Sequence, residues 1–199
     1  MNGKALRWMI VLLLCLAFLG TQALALEIGG KAYYLMDPYS GRVFLEENSD
    51  VALPVASLSK LMTLVLILEA VDRGEIGLTD LVTASPFAAS KRGSRIWLEA
   101  GEQLTLEELI YAIAVGSAND AAVAVAEFIA GSEQSFVEIM ETKAAELGLE
   151  VTSFRNCTGL PEDDGSNMMS ARDVATLVQH ALGVPRLMDY VSTYEHTMR

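Results

Sequence analysis

The chain has 199 residues, of which 26 are Asp or Glu and 14 are Lys or Arg, so its formal net charge is -12 at pH 7. This acidity excludes nucleic acid as a partner, because phosphate binding requires clustered cations. The length fits one domain with a sizeable core. Of the two cysteines, Cys15 lies in an N-terminal apolar run and only Cys157 follows it, so we expect no intrachain disulfide.

The chain begins with the three-part layout of a secretory signal peptide. Lys4 and Arg7 precede an apolar run that extends to Leu19, and a small-residue triplet ends at Ala25. We therefore predict that residues 1–25 are a signal peptide, with an uncleaved membrane anchor as the alternative. In both cases the remaining chain is exported and works outside the cytoplasm.

Two strand-like segments follow the leader. Residues 31–36 and 42–46 are rich in aromatic and β-branched side chains, and they flank a turn-forming cluster at residues 37–41. This order predicts a β-hairpin.

A helix is predicted from Ser57 to Arg73, ending at Gly74. Its residues 61–68 are apolar on every face, yet the run is too short to span a bilayer. A helix of this kind belongs in the middle of a protein core.

Further helices are predicted from their capping residues. Thr105 and Glu108 form a capping box, and Ser170 with Asp173 is a second helix start. Strands followed mainly by helices indicate an α+β fold. The predicted downstream helices span residues 105–116, 120–130, 132–147 and 170–183, with short extended pieces in 75–104.

Ser57 and Lys60 are the first candidate catalytic residues. A serine needs a base within hydrogen-bond reach, and the i, i+3 spacing puts both side chains on one face of a first helical turn. Burial of the following helix is expected to lower the pKa of Lys60, so that the amine accepts a proton. A helix cap at Ser57 with an exposed Lys60 is the structural alternative.

Ser117 and Asn119 form a second candidate pair on a short bend between two helices. A hydroxyl and an amide in this position relay a proton and hold a substrate amide. Ordinary helix capping is the other use of such residues.

The combination of Ser-x-x-Lys, Ser-x-Asn and a signal peptide is typical of penicillin-binding proteins and β-lactamases. From about residue 30 onward, the chain resembles the low-molecular-weight penicillin-binding proteins, which are serine-type D-alanyl-D-alanine carboxypeptidases of peptidase family S11. The stretches that carry the resemblance are Pro54–Thr63, Ser117–Ala121, Ala126–Glu127 with Gly131, Phe136 with Met140, Glu146–Gly148, Phe154–Asn156 and Gly159–Leu160.

The resemblance implies a β-lactamase/transpeptidase-like fold, with a helical cluster against an antiparallel sheet, and an acyl-enzyme mechanism. Ser57 would attack the carbonyl between the terminal D-alanines of a peptidoglycan stem peptide, and Lys60 would take its proton. Ser117 would pass a proton to the leaving D-alanine, and Asn119 would hold the substrate backbone. β-Lactams would mimic the substrate and trap Ser57.

The sequence departs from the family in small ways at Ser59, where threonine is usual, and at Ala118, where glycine is usual, and in two further respects. Asn156-Cys157-Thr158-Gly159 stands where the family commonly has Asn-Pro-His-Gly, and the family's Lys-Thr-Gly motif is absent because no lysine follows Lys143. We therefore expect residues 26–199 to be the N-terminal portion of the catalytic domain, truncated before that motif and its C-terminal strands. On its own this portion is expected to be weakly active or inactive.

Two alternative functions remain open. A class A β-lactamase would need a glutamate for deacylation, and Glu162 is the only acidic residue at a roughly suitable place. A non-catalytic peptidoglycan-binding module would keep the cleft without the third motif. No metal or cofactor is expected, since no His-Glu-x-x-His motif or calcium loop is present. Membrane contact is expected only through the signal segment or a C-terminal anchor missing from this chain.

Overall fold

The computed structural model describes residues 28–161, 163 and 165–197, so the predicted signal peptide and Glu162 lie outside the described residues. The described elements all lie in one compact unit that starts at Ala32. No helix among the described residues combines the length and apolar character needed to cross a bilayer. The helices are α1 Lys60–Asp72, α2 Pro86–Ala89, α3 Leu106–Gly116, α4 Asn119–Ala130, α5 Glu133–Glu146, α6 Ala171–Ala181 and α7 Leu187–Val191.

Strands form three antiparallel pairs, which together with the helices give the expected α+β class. The predicted hairpin is confirmed as β1 and β2, which pair from Tyr33 opposite Glu47 onward. The two other pairs are short, and the segment 75–104 contributes to one of them. The strands are β1 Tyr33–Met36, β2 Val43–Glu47, β3 Leu53–Pro54, β4 Leu81–Thr83, β5 Gln103–Thr105 and β6 Met168–Met169, with β1 against β2, β3 against β6 and β4 against β5.

Helix α1 is the centre of the molecule, as its uniformly apolar sequence predicts. Every residue from Met62 to Leu68 is buried, and α1 contacts α3, α4 and α6. A 3₁₀ turn over Ala56–Ser59 precedes α1, so Ser57 lies in this turn and not in the first α-helical turn. The buried helix therefore begins at Lys60 and carries its ammonium group into the core.

The predicted capping signals start the helices as expected. The Thr105 side chain and Glu108 form a reciprocal capping box at α3, and the side chains of Ser132 and Ser170 cap α5 and α6. Gly131, at φ +78°, ends α4 in the left-handed conformation. Local hydrogen bonds within one turn thus fix the helix boundaries that bracket the candidate site.

Candidate active site

The Ser57 hydroxyl and the Lys60 amine lie next to each other. The distance from Lys60 Nζ to Ser57 Oγ is 3.4 Å. Ser57 is exposed, whereas the Lys60 side chain reaches inward and the residue is only 4% exposed. The exposed hydroxyl is open to a ligand, and the amine approaches it from the protein side.

A backbone carbonyl holds the Lys60 amine in place. Lys60 Nζ donates a hydrogen bond of 2.8 Å to the carbonyl oxygen of Thr158. Desolvation by burial lowers the pKa of Lys60 from 10.5 to about 8, a shift that only a thiolate at Cys157 would oppose. A large fraction of the amine is therefore neutral at mildly alkaline pH and is able to accept a proton.

The segment that supplies this carbonyl is a tightly bonded loop, residues 156–160. Asn156 Oδ1 accepts the backbone N–H of Gly159 at 2.7 Å and that of Thr158 at 3.1 Å. Asn156 Nδ2 donates to the Leu160 carbonyl at 2.8 Å, and Asn167 Nδ2 donates to the Asn156 carbonyl at 2.9 Å. These buried amides fix the carbonyl of Thr158 opposite Lys60.

Gly159 brings this loop into contact with the turn that carries Ser57. Its φ is +77°, and a Cβ built on it would lie 1.8 Å from the Ala56 carbonyl oxygen. Only glycine permits this approach. The acceptor of Lys60 and the backbone before Ser57 are thus packed against each other.

Ser117 lies on the predicted bend between α3 and α4, whereas Asn119 is the first residue of α4. Ser117 has φ +53°, a left-handed conformation that is uncommon outside glycine, and it is partly buried. Among the described residues, no hydrogen bond joins Ser117 or Asn119 directly to Ser57 or Lys60. The structure therefore brings Ser57 and Lys60 into contact, and this direct contact does not extend to Ser117 or Asn119.

Asn119 is buried and braces a neighbouring loop. Its Nδ2 donates to the Arg92 carbonyl at 2.6 Å, and its backbone N–H donates to the Ser94 carbonyl at 2.7 Å. A Cβ at Gly93 would lie 2.9 Å from Asn119 Nδ2 and 3.6 Å from Leu160 Cδ1. Through Gly93 and Leu160, the Asn119 region thus adjoins the loop that holds Lys60.

The Asp120 carboxylate holds residues 96–98 beside Asn119, a role that no local sequence pattern indicates. Its carboxylate accepts the backbone N–H groups of Ile96 at 3.2 Å and Leu98 at 3.0 Å. These bonds flank Trp97, which has φ +63° and is 70% exposed. Trp97 therefore lies at the protein surface and does not pack in the core.

The structure also adds buried polar residues behind Lys60. The backbone N–H and the thiol of Cys157 both contact Glu133. Glu133 in turn forms an ion pair with Lys91. Lys91, Glu133 and Cys157 are far apart along the sequence, so no local sequence pattern predicts this cluster. Within the described part of the chain, no group of three or more His, Cys, Asp or Glu side chains is arranged to hold a metal ion.

Solved structures with the same fold include penicillin-binding proteins. Penicillin binding protein 6B from Escherichia coli superimposes with a TM-score of 0.81 at 31% identity, covering 86% of this chain and 56% of that one. Penicillin-Binding Protein D2 from Listeria monocytogenes, solved in an ampicillin-bound form, gives a TM-score of 0.71 at 27% identity, covering 84% of this chain and 68% of that one. The fold is therefore of the penicillin-binding class.

Sequence comparison identifies the family within this class. Residues 20–199 match the peptidase S11 family, described as D-alanyl-D-alanine carboxypeptidase. The D-alanyl-D-alanine carboxypeptidase DacF of Bacillus subtilis is 44% identical over 85% of this chain and 43% of its own length. DacA of Escherichia coli is 39% identical over 77% of this chain and 39% of its own length. The chain belongs to the peptidase S11 family, and it spans about two fifths of the length of these curated relatives.

Proposed function

We propose that the chain carries the acylation machinery of a serine D,D-carboxypeptidase, which removes the terminal D-alanine from peptidoglycan stem peptides. The observation that carries this proposal is the contact between an exposed Ser57 hydroxyl and a buried Lys60 amine of lowered pKa. Because the amine is neutral at mildly alkaline pH, it serves as the general base that a serine nucleophile requires.

The proposed reaction proceeds through an acyl-enzyme. Ser57 Oγ attacks the carbonyl carbon between the two D-alanines, and its proton moves to Lys60 Nζ. The backbone N–H of Ser57 donates to the developing oxyanion. The C–N bond then breaks, and the amine of the leaving D-alanine takes up a proton. Water hydrolyses the ester on Ser57 and releases the shortened peptide.

Ser117 and Asn119 have supporting roles in this proposal. The Ser117 hydroxyl relays a proton to the leaving amine. Asn119 uses one N–H of its amide to brace Arg92, and the second N–H is available to a substrate carbonyl. The left-handed backbone at Ser117 is the kind of strain that persists where a side chain must be aimed at a site.

β-Lactams are the proposed inhibitors, and the cell envelope is the proposed location. The Listeria monocytogenes relative has been solved in ampicillin-bound and cefotaxime-bound forms. A substrate found in peptidoglycan requires export, in line with the signal peptide predicted at residues 1–25. The proposed place of action is the outer face of the cytoplasmic membrane, with membrane contact through the signal segment or an anchor outside this chain.

Covalent labelling tests the proposed nucleophile. We expect a chimera, made of residues 26–199 followed by the unmatched C-terminal part of the Bacillus subtilis relative, to form a stable penicilloyl adduct. Peptide mapping should locate the adduct at Ser57. Ser57→Ala should abolish it, whereas Ser40→Ala, in the exposed hairpin turn, should leave it unchanged.

The same experiment separates the alternatives. Rapid turnover of penicillin without a persistent adduct would indicate a β-lactamase. Muropeptide binding without acylation or D-alanine release, and unaffected by Ser57→Ala, would indicate a binding module. Either result would contradict the proposed carboxypeptidase.

A second prediction concerns residues 26–199 alone. These residues contain no Lys-Thr-Gly, the family motif that is expected to bring the second oxyanion donor and the cation for the substrate carboxylate. Because one oxyanion donor is worth about 10²–10³ in rate, we expect fluorescent penicillin to acylate residues 26–199 at least about 10²-fold more slowly than the chimera. Equal rates would show that acylation does not need this motif.

A further inference from the structure

A chain of buried polar contacts ends directly behind the Lys60 acceptor. Lys91 Nζ lies 2.7 Å from Glu133 Oε2, and both side chains are about one tenth exposed. The other oxygen, Glu133 Oε1, accepts the backbone N–H of Cys157 at 3.1 Å and its thiol at 3.2 Å. The ion pair thus orients one carboxylate oxygen toward residue 157.

Cys157 is held on its other side by the helix that carries Lys60. The Thr63 hydroxyl donates to the Cys157 carbonyl at 2.7 Å. The next carbonyl along the chain, that of Thr158, accepts Lys60 Nζ at 2.8 Å. Any displacement of the Cys157 backbone therefore moves the atom that positions the Lys60 amine.

The contact with Glu133 depends on the residue that this chain has at position 157. A proline at this position would have neither a backbone N–H nor a thiol to donate. Its ring instead restricts φ. In this chain, hydrogen bonds to the buried Glu133 carboxylate restrain the backbone at position 157 instead of a proline ring.

We propose that Glu133, oriented by Lys91, is a positioning residue that fixes the Cys157 backbone and thereby holds the Thr158 carbonyl where it directs the Lys60 amine to Ser57. This inference rests on the proposed function, since it assigns a role in the same site. Glu133 acts through Cys157 and Thr158 and touches no reacting atom.

The expected effect on Lys60 has a defined sign. The Thr158 carbonyl stabilises the charged ammonium, so its withdrawal favours the neutral amine and lowers the Lys60 pKa further. A thiolate at Cys157 would raise the Lys60 pKa. Burial and the Glu133 charge raise the pKa of the Cys157 thiol well above its usual range, so the thiol stays neutral during a Lys60 titration.

Two double variants of nearly equal volume isolate the acceptor. The acceptor-retaining variant combines Lys91→Met with Glu133→Gln, whose amide oxygen still accepts the Cys157 N–H. The acceptor-lacking variant combines Lys91→Met with Glu133→Leu. Both variants lack the buried ion pair, and only the variant with Gln has a side-chain oxygen that accepts the N–H of residue 157.

The measurement is the titration of the lysine ¹³Cε resonances in residues 26–199, which contain only four lysines, at positions 31, 60, 91 and 143. In the acceptor-retaining variant, the Lys60 pKa should be close to that of the unchanged protein. The acceptor-lacking variant should lower the Lys60 pKa by about one unit. Cys157→Ala, which keeps the backbone N–H, should change it little.

Equal Lys60 titrations in the two folded double variants would overturn the proposal. If the acceptor-lacking variant does not fold, Glu133→Asp keeps the carboxylate but shortens its reach, and it must lower the Lys60 pKa for the proposal to stand. This readout does not require acylation. Failure of the chimera to react with penicillin would refute the proposed function, whereas an unchanged Lys60 titration would refute only the role of Glu133.

Discussion

Replacement of Lys60 by arginine is expected to lower the rate of penicillin acylation in the chimera by at least about 10³-fold, as much as replacement by methionine. Arginine keeps the positive charge and most of the length, but its guanidinium does not lose a proton in proteins. Both variants therefore lack a base, but the arginine variant keeps the positive charge and the methionine variant does not. The rates are measured by intact mass under single-turnover conditions.

The pH profile gives the same prediction a second readout. Burial lowers the Lys60 pKa to about 8, so the neutral amine is the minor form below that pH and the major form above it. The acylation rate should rise about tenfold per pH unit below pH 8 and level off above it. Lys143 is paired with Glu69 and Glu146. The control variant Lys143→Arg should leave the acylation rate and its pH profile unchanged. Substantial activity in Lys60→Arg would show that Lys60 is not the base.

The parts of the site that the sequence predicted are those set by local spacing. Ser57 and Lys60 meet because they are three residues apart where the 3₁₀ turn leads into α1. The capping box at Thr105 and Glu108 likewise joins residues three apart. Such contacts close within a single turn, so residue type and spacing are enough to predict them.

The parts that the sequence did not predict are contacts between distant segments. Lys91 and Glu133 are 42 residues apart, and Lys60 and the Thr158 carbonyl are 98 apart. A backbone acceptor has no residue type by which to recognise it. Asn119 illustrates the same limit, because the bend just before it is confirmed, while its buried contact with the Arg92 carbonyl depends on tertiary packing.

One property of the sequence explains both the core and the chemistry. Helix α1 is apolar on every face, which buries Met62 to Leu68 between the other helices. The same burial desolvates Lys60 at the helix start and is the largest cause of its lowered pKa. Because the hydrophobic core and the base are built on one helix, polar substitutions within α1 would affect stability and the Lys60 titration together.

Gly159→Ala is expected to destabilise residues 26–199 by about 3 kcal/mol or more, because it combines backbone strain with a collision. The new Cβ would lie 1.8 Å from the Ala56 carbonyl oxygen, at φ +77°. Strain at positive φ and forced repacking each cost about 1–3 kcal/mol. Urea denaturation measures the loss, and any folded fraction should also show an altered Lys60 titration, since the loop and the Ser57 turn must separate.

Gly148→Ala is the matched control for this change. Its φ is +69°, and nothing lies within 4 Å of the position that the new methyl group would take, so it carries the strain without the collision. We expect a loss of about 1–2 kcal/mol there and no change in the Lys60 titration. Equal losses at both glycines would mean that the loop yields at no cost, and the close packing of Gly159 against Ala56 would then not hold Lys60 beside Ser57.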